Sequence, residues 1–323
     1  TAQLVVKDAE CQDRLVRLFK EEFSMDALPV VLRKTRKLRK AVITAAGLGT
    51  RLFPMTKVLR KEFMPVLSSD ERVEPLLVRT VREVLEAGIE KICLIVQEGE
   101  LSAFKDLFSS PVSPEVFKKL DTPGQEYCKR LESYGERIDF CFQKNKEGLG
   151  HALLEAEDWV GGGPFLFILG DHYFKSNAQD SCTQQFLEWY EELERPLIAL
   201  AETPLSQVHR FGAISGEWEK EGEQLWISEV KEKPTQEFAS RNLSVKLNGE
   251  QQYYTVFGEY ILNKEIFTIL RSMVNENLRE QGEIQLTSAL EELRRKQGLS
   301  GIVMQGEKID IGIPEEYRRV LSW

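Results

Sequence analysis

Residues 45–66 read A-A-G-L-G-T-R-L-F-P-M-T-K-V-L-R-K-E-F-M-P-V and come just after the apolar run 41–43. An apolar strand followed by a glycine-containing turn is typical of the phosphate-binding edge of an α/β sheet. Gly47 and Gly49 carry no Cβ, so backbone N–H groups can approach an anion closely. Cations that can neutralise the anion follow before the first acid, Glu62; they are Arg51, Lys57, Arg60 and Lys61. The stretch predicts a site for a phosphorylated ligand.

The whole chain is acidic, with 43 Lys and Arg against 52 Asp and Glu in 323 residues and a net charge of -9. This balance argues against a general nucleic-acid binder. The five cysteines are scattered without C-x-x-C spacing, which is typical of reduced core residues in an intracellular protein. The sequence contains no apolar run of membrane-spanning length and no secretory signal pattern. We therefore expect a soluble protein of the cytoplasm or an organelle stroma, with neither a membrane nor a nucleic acid as partner.

The chain begins with Thr1, and residues 8–23 have the apolar spacing of an amphipathic helix. Six cations follow in the stretch 33–40, and such a run is more often a solvated linker than a polyanion contact. We interpret residues 1–39 as an N-terminal helix and basic linker from the end of a longer protein. Residues 40–323 then form one catalytic domain.

From residue 40 onward, short apolar runs alternate with amphipathic helical patterns, which predicts an α/β fold with a mostly parallel sheet flanked by helices. A helix over residues 75–87 has apolar side chains at helical spacing and stops at Gly88. After residue 202 the chain is β-rich, and two helices follow. The predicted strands are 41–45, 91–96, 138–142, 165–169, 197–201, 211–215, 224–230 and 253–262, and the two C-terminal helices are 264–277 and 283–296.

In such a sheet the ligand lies beyond the carboxyl ends of the strands, so the residues that follow each apolar run are the candidates. Gln143 follows the third run and offers an amide that can read a nucleobase edge. Asp171 follows the fourth and offers an oxygen ligand for Mg²⁺. Alone, Gln143 could equally be a surface amide and Asp171 a turn former. Their shared position favours the functional interpretation.

Several motifs occur in the order in which one known family has them: A-G-L-G-T-R-x-x-P-x-T-K-x-x-x-K-E-x-x-P-V, Q-x-x-x-x-G-L-G-H-A, E-K-P and E-I-Q-L-T. Over residues 40–323 the chain resembles the bacterial-type UTP–glucose-1-phosphate uridylyltransferases, also called UDP-glucose pyrophosphorylases. The resemblance implies a nucleotidyltransferase with a Rossmann-like core, a β-rich sugar-binding part and C-terminal helices. It also implies transfer of a uridylyl group from UTP to glucose 1-phosphate, with Mg²⁺ as cofactor and a possible homo-oligomer.

The same resemblance assigns roles to individual residues. The base would contact Ala46, Gly47 and Gln143, with Gly148 beside the nucleoside. The triphosphate would lie along Gly49, Thr50 and Arg51, and Lys61 would bridge the nucleotide and sugar phosphates. Glu232, Lys233 and Gly212 would hold the sugar and its phosphate, while Asp171 and Asp310 would bind the metal ion. The expected catalytic residues are Arg51, Lys61, Asp171 and Lys233.

Three positions depart from the family pattern. Arg60 replaces a proline and is expected to place an extra cation beside the phosphates, while Gly282 and Ser288 replace acids in the sugar and dimer region. Sugar choice therefore stays open among hexose phosphates. Two alternatives also stay open: an enzyme that uses another nucleoside triphosphate, and a catalytically silent module that binds nucleotide sugars. The presence of Lys61, Asp171 and Lys233 favours the enzyme.

Overall fold

The computed structural model describes residues 38–68 and 72–321. The predicted helix over residues 8–23 and most of the basic linker lie outside these ranges. The described strands are β1 Lys40–Thr44, β2 Pro65–Leu67, β3 Val73–Pro75, β4 Lys91–Val96, β5 Ile138–Phe142, β6 Phe165–Leu169, β7 His172–Ser176, β8 Leu197–Glu202, β9 Ala213–Lys220, β10 Gln224–Lys231, β11 Ser244–Leu247, β12 Glu250–Leu262, β13 Ser300–Val303 and β14 Gly306–Asp310.

The described α-helices begin with α1, Leu76–Glu86, which follows Pro75 and ends before Gly88 as predicted. Its apolar positions are buried, and of its four charged residues only Glu86 is exposed, while Arg79, Arg82 and Glu83 are partly buried. The other helices are α2 Leu101–Phe108, α3 Pro114–Lys119, α4 Thr122–Gly135, α5 Leu149–Leu154, α6 Glu157–Val160, α7 Cys182–Leu193, α8 Gln236–Asn242, α9 Glu265–Asn275, α10 Leu286–Gln297 and α11 Pro314–Leu321.

One large mixed sheet organises the described part of the chain, in the order β5-β4-β1-β6-β12-β8-β13-β10-β9. The first four strands of this order are mutually parallel. The apolar runs of β1, β4 and β6 are buried on both faces, and Ala41, Val42 and Ile43 of β1 are 0% exposed. Strand β5, at the edge of the sheet, is only partly buried and contains Asp139. Strand β12 then joins β6 and β8 in antiparallel pairings. The predicted α/β class, with its sheet flanked by helices, is confirmed.

The predicted strands 91–96, 138–142 and 165–169 have the bounds found in the structure. The β-rich part extends further than predicted, since β12 runs from Glu250 to Leu262 and β9 from Ala213 to Lys220. Its strands alternate polar and apolar side chains, so the apolar runs alone mark only part of each one.

The sequence interpretation missed the two-stranded sheet formed by β7 and β14. Both strands are short and carry charged residues, as in Gly306–Asp310, which reads G-E-K-I-D. Their antiparallel pairing sets Asp310 opposite His172, next to Asp171. No helix within residues 38–68 and 72–321 has the length and apolar character needed to cross a membrane.

Candidate active site

The glycine turn after β1 is built around the side chain of Lys61. A Cβ added at Gly47 would lie 2.7 Å from the Lys61 Nζ, so a side chain at this position would displace that ammonium. Gly49 has a φ of +64°, a conformation that glycine adopts without strain. The hydroxyl of Thr56 donates to the Gly49 carbonyl at 2.9 Å. The loop thus folds back on itself and holds Lys61 against its backbone.

The Lys61 ammonium pairs with Asp171, with 2.5 Å between Nζ and Oδ2. The other oxygen of Asp171 lies 3.1 Å from Nδ1 of His172. Burial would raise the pKa of Asp171, but the positive charge of Lys61 and the contact with His172 hold it well below its usual value. Burial alone would lower the pKa of Lys61, but the negative charges of Asp171 and Glu62 outweigh burial, so the pKa is raised above its usual value. Both groups are therefore charged at neutral pH.

A second ion pair lies beside the first. A guanidinium nitrogen of Arg51 is 3.0 Å from Oδ2 of Asp310, and the other oxygen of Asp310 accepts from the backbone N–H of Gly312 at 2.8 Å. The Ile311 N–H donates to the Asp171 carbonyl at 3.1 Å, which ties the two acidic positions together. The Arg51 side chain is 56% exposed, so it remains open to a ligand.

Arg60, expected as an extra cation beside the phosphates, contacts protein groups of the glycine turn in the structure. Its guanidinium pairs with Glu100 at 2.5 Å and donates to the carbonyls of Ala45 and Gly47 at 3.3 and 3.0 Å. Arg60 therefore braces the glycine turn, and much of its charge is neutralised by Glu100. Glu62 is fully buried beside it, and burial raises the pKa of Glu62 to about 7 against the opposing charge of Lys61.

The residues expected to read the base also lie at the carboxyl ends of parallel strands. Gln143 follows β5, is 7% exposed and donates through Nε2 to the Gly148 carbonyl at 3.1 Å. One amide N–H and the amide oxygen can then face a base edge, which needs one donor and one acceptor. Gln97, after β4, donates to the Ala46 carbonyl at 2.5 Å. This contact fixes the backbone of the predicted base site.

The residues expected to hold the sugar form a separate group beside β9 and α10. A Cβ added at Gly212 would lie 3.2 Å from the Thr287 hydroxyl and 3.5 Å from Oε2 of Glu232. Thr287 donates to that carboxylate oxygen at 2.6 Å, and the Lys233 Nζ lies 3.2 Å from its other oxygen. Lys233 has a φ of +39°, and its N–H donates to the Phe211 carbonyl. The Glu232 carboxylate is thus held from both sides.

Thr50 is exposed on the glycine turn beside Arg51. Gly282 and Ser288 lie close to the sugar-side group, since the Ser288 hydroxyl donates to Glu280 at 2.9 Å and Glu280 lies 3.7 Å from Lys231. An acid from a neighbouring segment thus contacts the serine that replaces the family's acid.

Asp171 and Asp310 fit a hard divalent cation, because carboxylate oxygens are the ligands that Mg²⁺ prefers. Each of their oxygens has a protein partner in the contacts above, and a carboxylate oxygen can accept more than one. Among the residues that the structure describes, no three His, Cys, Asp or Glu side chains converge on one metal position. A metal ion here would therefore need phosphate or water oxygens as further ligands.

Sequence reasoning missed three residues at this site: Gln97, Thr287 and Lys308. Thr287 stands in the E-I-Q-L-T motif and Gln97 directly follows a predicted strand, so position alone could have marked both. Lys308 had no such signal, because strand β14 was not predicted. Burial lowers the pKa of Lys308 to about 7, although the negative charges of Asp310 and Glu316 oppose this shift.

Comparison with known proteins places this geometry in a family. The model of the nucleotidyl transferase family matches residues 40–322. A UTP–glucose-1-phosphate uridylyltransferase 2 of Staphylococcus saprophyticus is 33% identical over 280 residues, which cover 86% of this chain and 88% of the relative. A Bacillus subtilis UTP–glucose-1-phosphate uridylyltransferase is 31% identical over 281 residues, covering 86% and 87% of the two chains.

Solved structures agree with the sequence relatives. A UDP-glucose pyrophosphorylase in complex with UDP-glucose has a TM-score of 0.71 and 29% identity, covering 88% of this chain and 97% of that one. A UTP-bound enzyme of the same kind from Acinetobacter baumannii has a TM-score of 0.71 and 25% identity, covering 88% and 92%.

The chain belongs to the nucleotidyl transferase family. Within it, the resemblance to the bacterial-type UTP–glucose-1-phosphate uridylyltransferases predicted from the motifs is confirmed.

Proposed function

We propose that this chain transfers the uridylyl group of UTP to glucose 1-phosphate and releases UDP-glucose and pyrophosphate. The observation that carries the proposal is the Lys61–Asp171 ion pair beside the glycine turn. Its Nζ and Oδ2 atoms are 2.5 Å apart. This pair supplies a fixed positive charge and a hard oxygen ligand at the edge where a triphosphate would bind. The uridylyltransferase relatives at 31–33% identity support the choice of UTP and glucose 1-phosphate.

For the nucleotide, the uracil would lie between Gln143 and the backbone of Ala46 and Gly47, with Gly148 beside the nucleoside. The amide of Gln143 matches a uracil edge, which presents one N–H donor flanked by carbonyl acceptors. The triphosphate would then follow the turn past Gly49 and Thr50 toward the exposed guanidinium of Arg51.

For the sugar phosphate, Glu232 would accept hydrogen bonds from hexose hydroxyls, and Lys233 would contact the phosphate. Because Gly212 has no Cβ, the backbone there lies close to Thr287 and Glu232, the two side chains that would face the hexose. The carboxylate is already oriented by its two partners, so little side-chain freedom is lost when the sugar binds.

The reaction needs no general base, because a phosphate monoester has its second pKa near ~6 and is already nucleophilic at neutral pH. An oxygen of the sugar phosphate forms a bond to the α-phosphorus of UTP, and the bond from that phosphorus to the bridging oxygen of pyrophosphate breaks. The obstacle is repulsion between two anions. Lys61, Arg51 and Lys233 reduce it and hold the reacting groups in line.

A divalent ion is general in this family, and we propose Mg²⁺, held by Asp171 and Asp310. When bound, the ion neutralises phosphate charge and draws the triphosphate oxygens into a fixed arrangement.

The direct experiment is a pyrophosphate-release assay with four nucleoside triphosphates and several hexose 1-phosphates, with and without Mg²⁺. We expect turnover to be highest with UTP and glucose 1-phosphate and to stop when the metal is chelated. Turnover that prefers another triphosphate or sugar phosphate would reject the substrate assignment. Binding of UDP-glucose with no turnover of any pair would reject the enzyme and favour a silent binding module.

A further inference from the structure

Lys308 lies between the two groups of the candidate site, and none of the steps above uses it. It stands in β14 opposite Phe174, two residues before Asp310. Because side chains two residues apart in a strand share a face, Lys308 and Asp310 project from the same side of β14. One short strand therefore carries both Lys308 and Asp310, the ion-pair partner of Arg51.

The Lys308 amine reaches β12 at a point where that strand is irregular. The pairing of β12 with β8 shifts register between Val256 and Tyr260, and Gly258 has a φ of +113°. Lys308 donates a hydrogen bond to the Val256 carbonyl and lies 3.4 Å from the Thr255 hydroxyl. An amine donates in both of its protonation states, so this contact does not depend on the charge of Lys308.

The same segment of β12 holds the sugar side of the site. The Val256 N–H donates to the Gly212 carbonyl at 2.9 Å. We call residues 211–212 the hexose wall. The ring centroid of Phe211 lies 4.0 Å from the Lys308 Nζ, and the Phe211 carbonyl accepts from the Lys233 N–H at 3.1 Å. Lys308 therefore touches the hexose wall directly through Phe211 and indirectly through Val256.

We propose that Lys308 is a positioning residue that fixes the hexose wall relative to the strand bearing Asp310. The inference rests on the proposed function, since it names the residue that sets the distance between the sugar and phosphate sides of that site. Loss of Lys308 removes the donor to Val256 and the contact with the Phe211 ring. The wall then relaxes, and the sugar phosphate loses its fit while the glycine turn and Gln143 stay in place.

The test compares Lys308→Met with Lys308→Arg in steady-state kinetics. We expect Lys308→Met to raise the KM for glucose 1-phosphate roughly tenfold, the size of one lost hydrogen bond. The KM for UTP should stay close to wild type. Lys308→Arg keeps a donor and should recover part of the loss. Phe211→Leu, which removes only the ring contact, should move the same KM in the same direction.

Lys40 offers a matched control at the opposite end of β1. Its Nζ donates to the carbonyls of Trp159 and Val160 at 2.7 and 2.9 Å and lies 4.9 Å from the Trp159 ring centroid. Lys40→Met therefore removes similar contacts away from the site, and we expect a lower melting temperature with both KM values unchanged.

An unchanged KM for glucose 1-phosphate in folded Lys308→Met would overturn the inference. So would equal rises in the KM for glucose 1-phosphate and the KM for UTP. A rise in the KM for glucose 1-phosphate alone in Lys40→Met would overturn it as well. If Lys308→Met does not fold, Phe211→Leu provides the test. A KM for glucose 1-phosphate that rises relative to the KM for UTP supports the inference, and an unchanged ratio overturns it. If the wild type turns over another sugar phosphate, the proposed function fails and that compound becomes the readout. If the wild type turns over nothing, the affinities for UDP-glucose and UTP replace the two KM values.

Discussion

The proposed mechanism depends most on Lys61, and replacing it by methionine gives the sharpest test. Lys61→Met keeps much of the side-chain volume and removes the charge that lies 2.5 Å from Asp171. Loss of one preorganised group that stabilises a developing anion typically costs about 3–4 kcal/mol, or a 10²–10³-fold lower kcat. Because Lys61 would also bridge both phosphates, we expect a loss of at least this size.

Stability must be separated from catalysis in this variant. Removing one partner of a buried pair leaves the other charge uncompensated, at a cost of about 3–5 kcal/mol. The side chains of Lys61 and Asp171 are only 14% and 15% exposed, so part of that cost applies. The double variant Lys61→Met/Asp171→Asn removes both charges. We expect it to unfold at higher urea concentration than Lys61→Met and to remain as inactive.

Arg82 provides the matched control. It makes a bidentate pair with Glu74, both distances being 2.7 Å, and the Glu74 side chain is 1% exposed. Arg82 lies in helix α1 and Glu74 in strand β3, away from the site. Arg82→Met leaves the buried Glu74 carboxylate without its ion-pair partner, so it should lower stability and leave kcat near wild type. The assay follows pyrophosphate release at saturating UTP and glucose 1-phosphate. A folded Lys61→Met protein with a kcat within a few-fold of wild type would refute the reasoning, and so would an equal kcat loss in Arg82→Met.

Three further predictions address the base, the sugar and the core. Gln143→Ala should lower kcat/KM for UTP relative to the other triphosphates, since it removes the amide that we propose reads the base; an unchanged preference among triphosphates would contradict this. Thr287→Val removes the hydroxyl 2.6 Å from the Glu232 carboxylate and should raise the KM for glucose 1-phosphate by the equivalent of about 1.5–3 kcal/mol, whereas Thr287→Ser should stay near wild type. Burial and the negative charge of Glu83 raise the pKa of Glu259 from 4.5 to about 8, against the hydrogen bond from Thr183. Each pKa unit is worth ~1.4 kcal/mol, so the wild type should lose up to roughly 5 kcal/mol of stability as the pH rises from 4.5 through about 8. Urea unfolding at pH 5 and pH 9 measures this difference in the free energy of unfolding, and Glu259→Gln should lack it. An equal decrease between the two pH values in both proteins would contradict the prediction.

The parallel half of the fold could be predicted from the sequence, because β1, β4 and β6 are buried on both faces and read as apolar runs. The edge strand β5 is only partly buried, and its apolar residues on either side of Asp139 were enough to mark it. The ends of those runs also placed the glycine turn, Gln143 and Asp171 at one edge of the sheet. For Gly47 the sequence predicted only the close approach of an anion, and the Lys61 ammonium beside it was found in the structure.

Other contacts could be found only in the tertiary structure. Arg51 and Asp310 are 259 residues apart, Glu232 and Thr287 are 55 apart, and Lys308 meets Val256 across 52 residues. No local pattern encodes such pairings, since they arise when β14 pairs with β7 and α10 packs beside β10. The partner of Arg60 was hidden for the same reason. The sequence predicted an extra cation beside the phosphates, and the structure shows that Glu100, 40 residues further on, pairs with its guanidinium. Sequence therefore determined which segments are buried and where the phosphate edge lies, because burial follows local hydrophobicity. Folding decided which charges face each other, because that depends on segments distant in the chain.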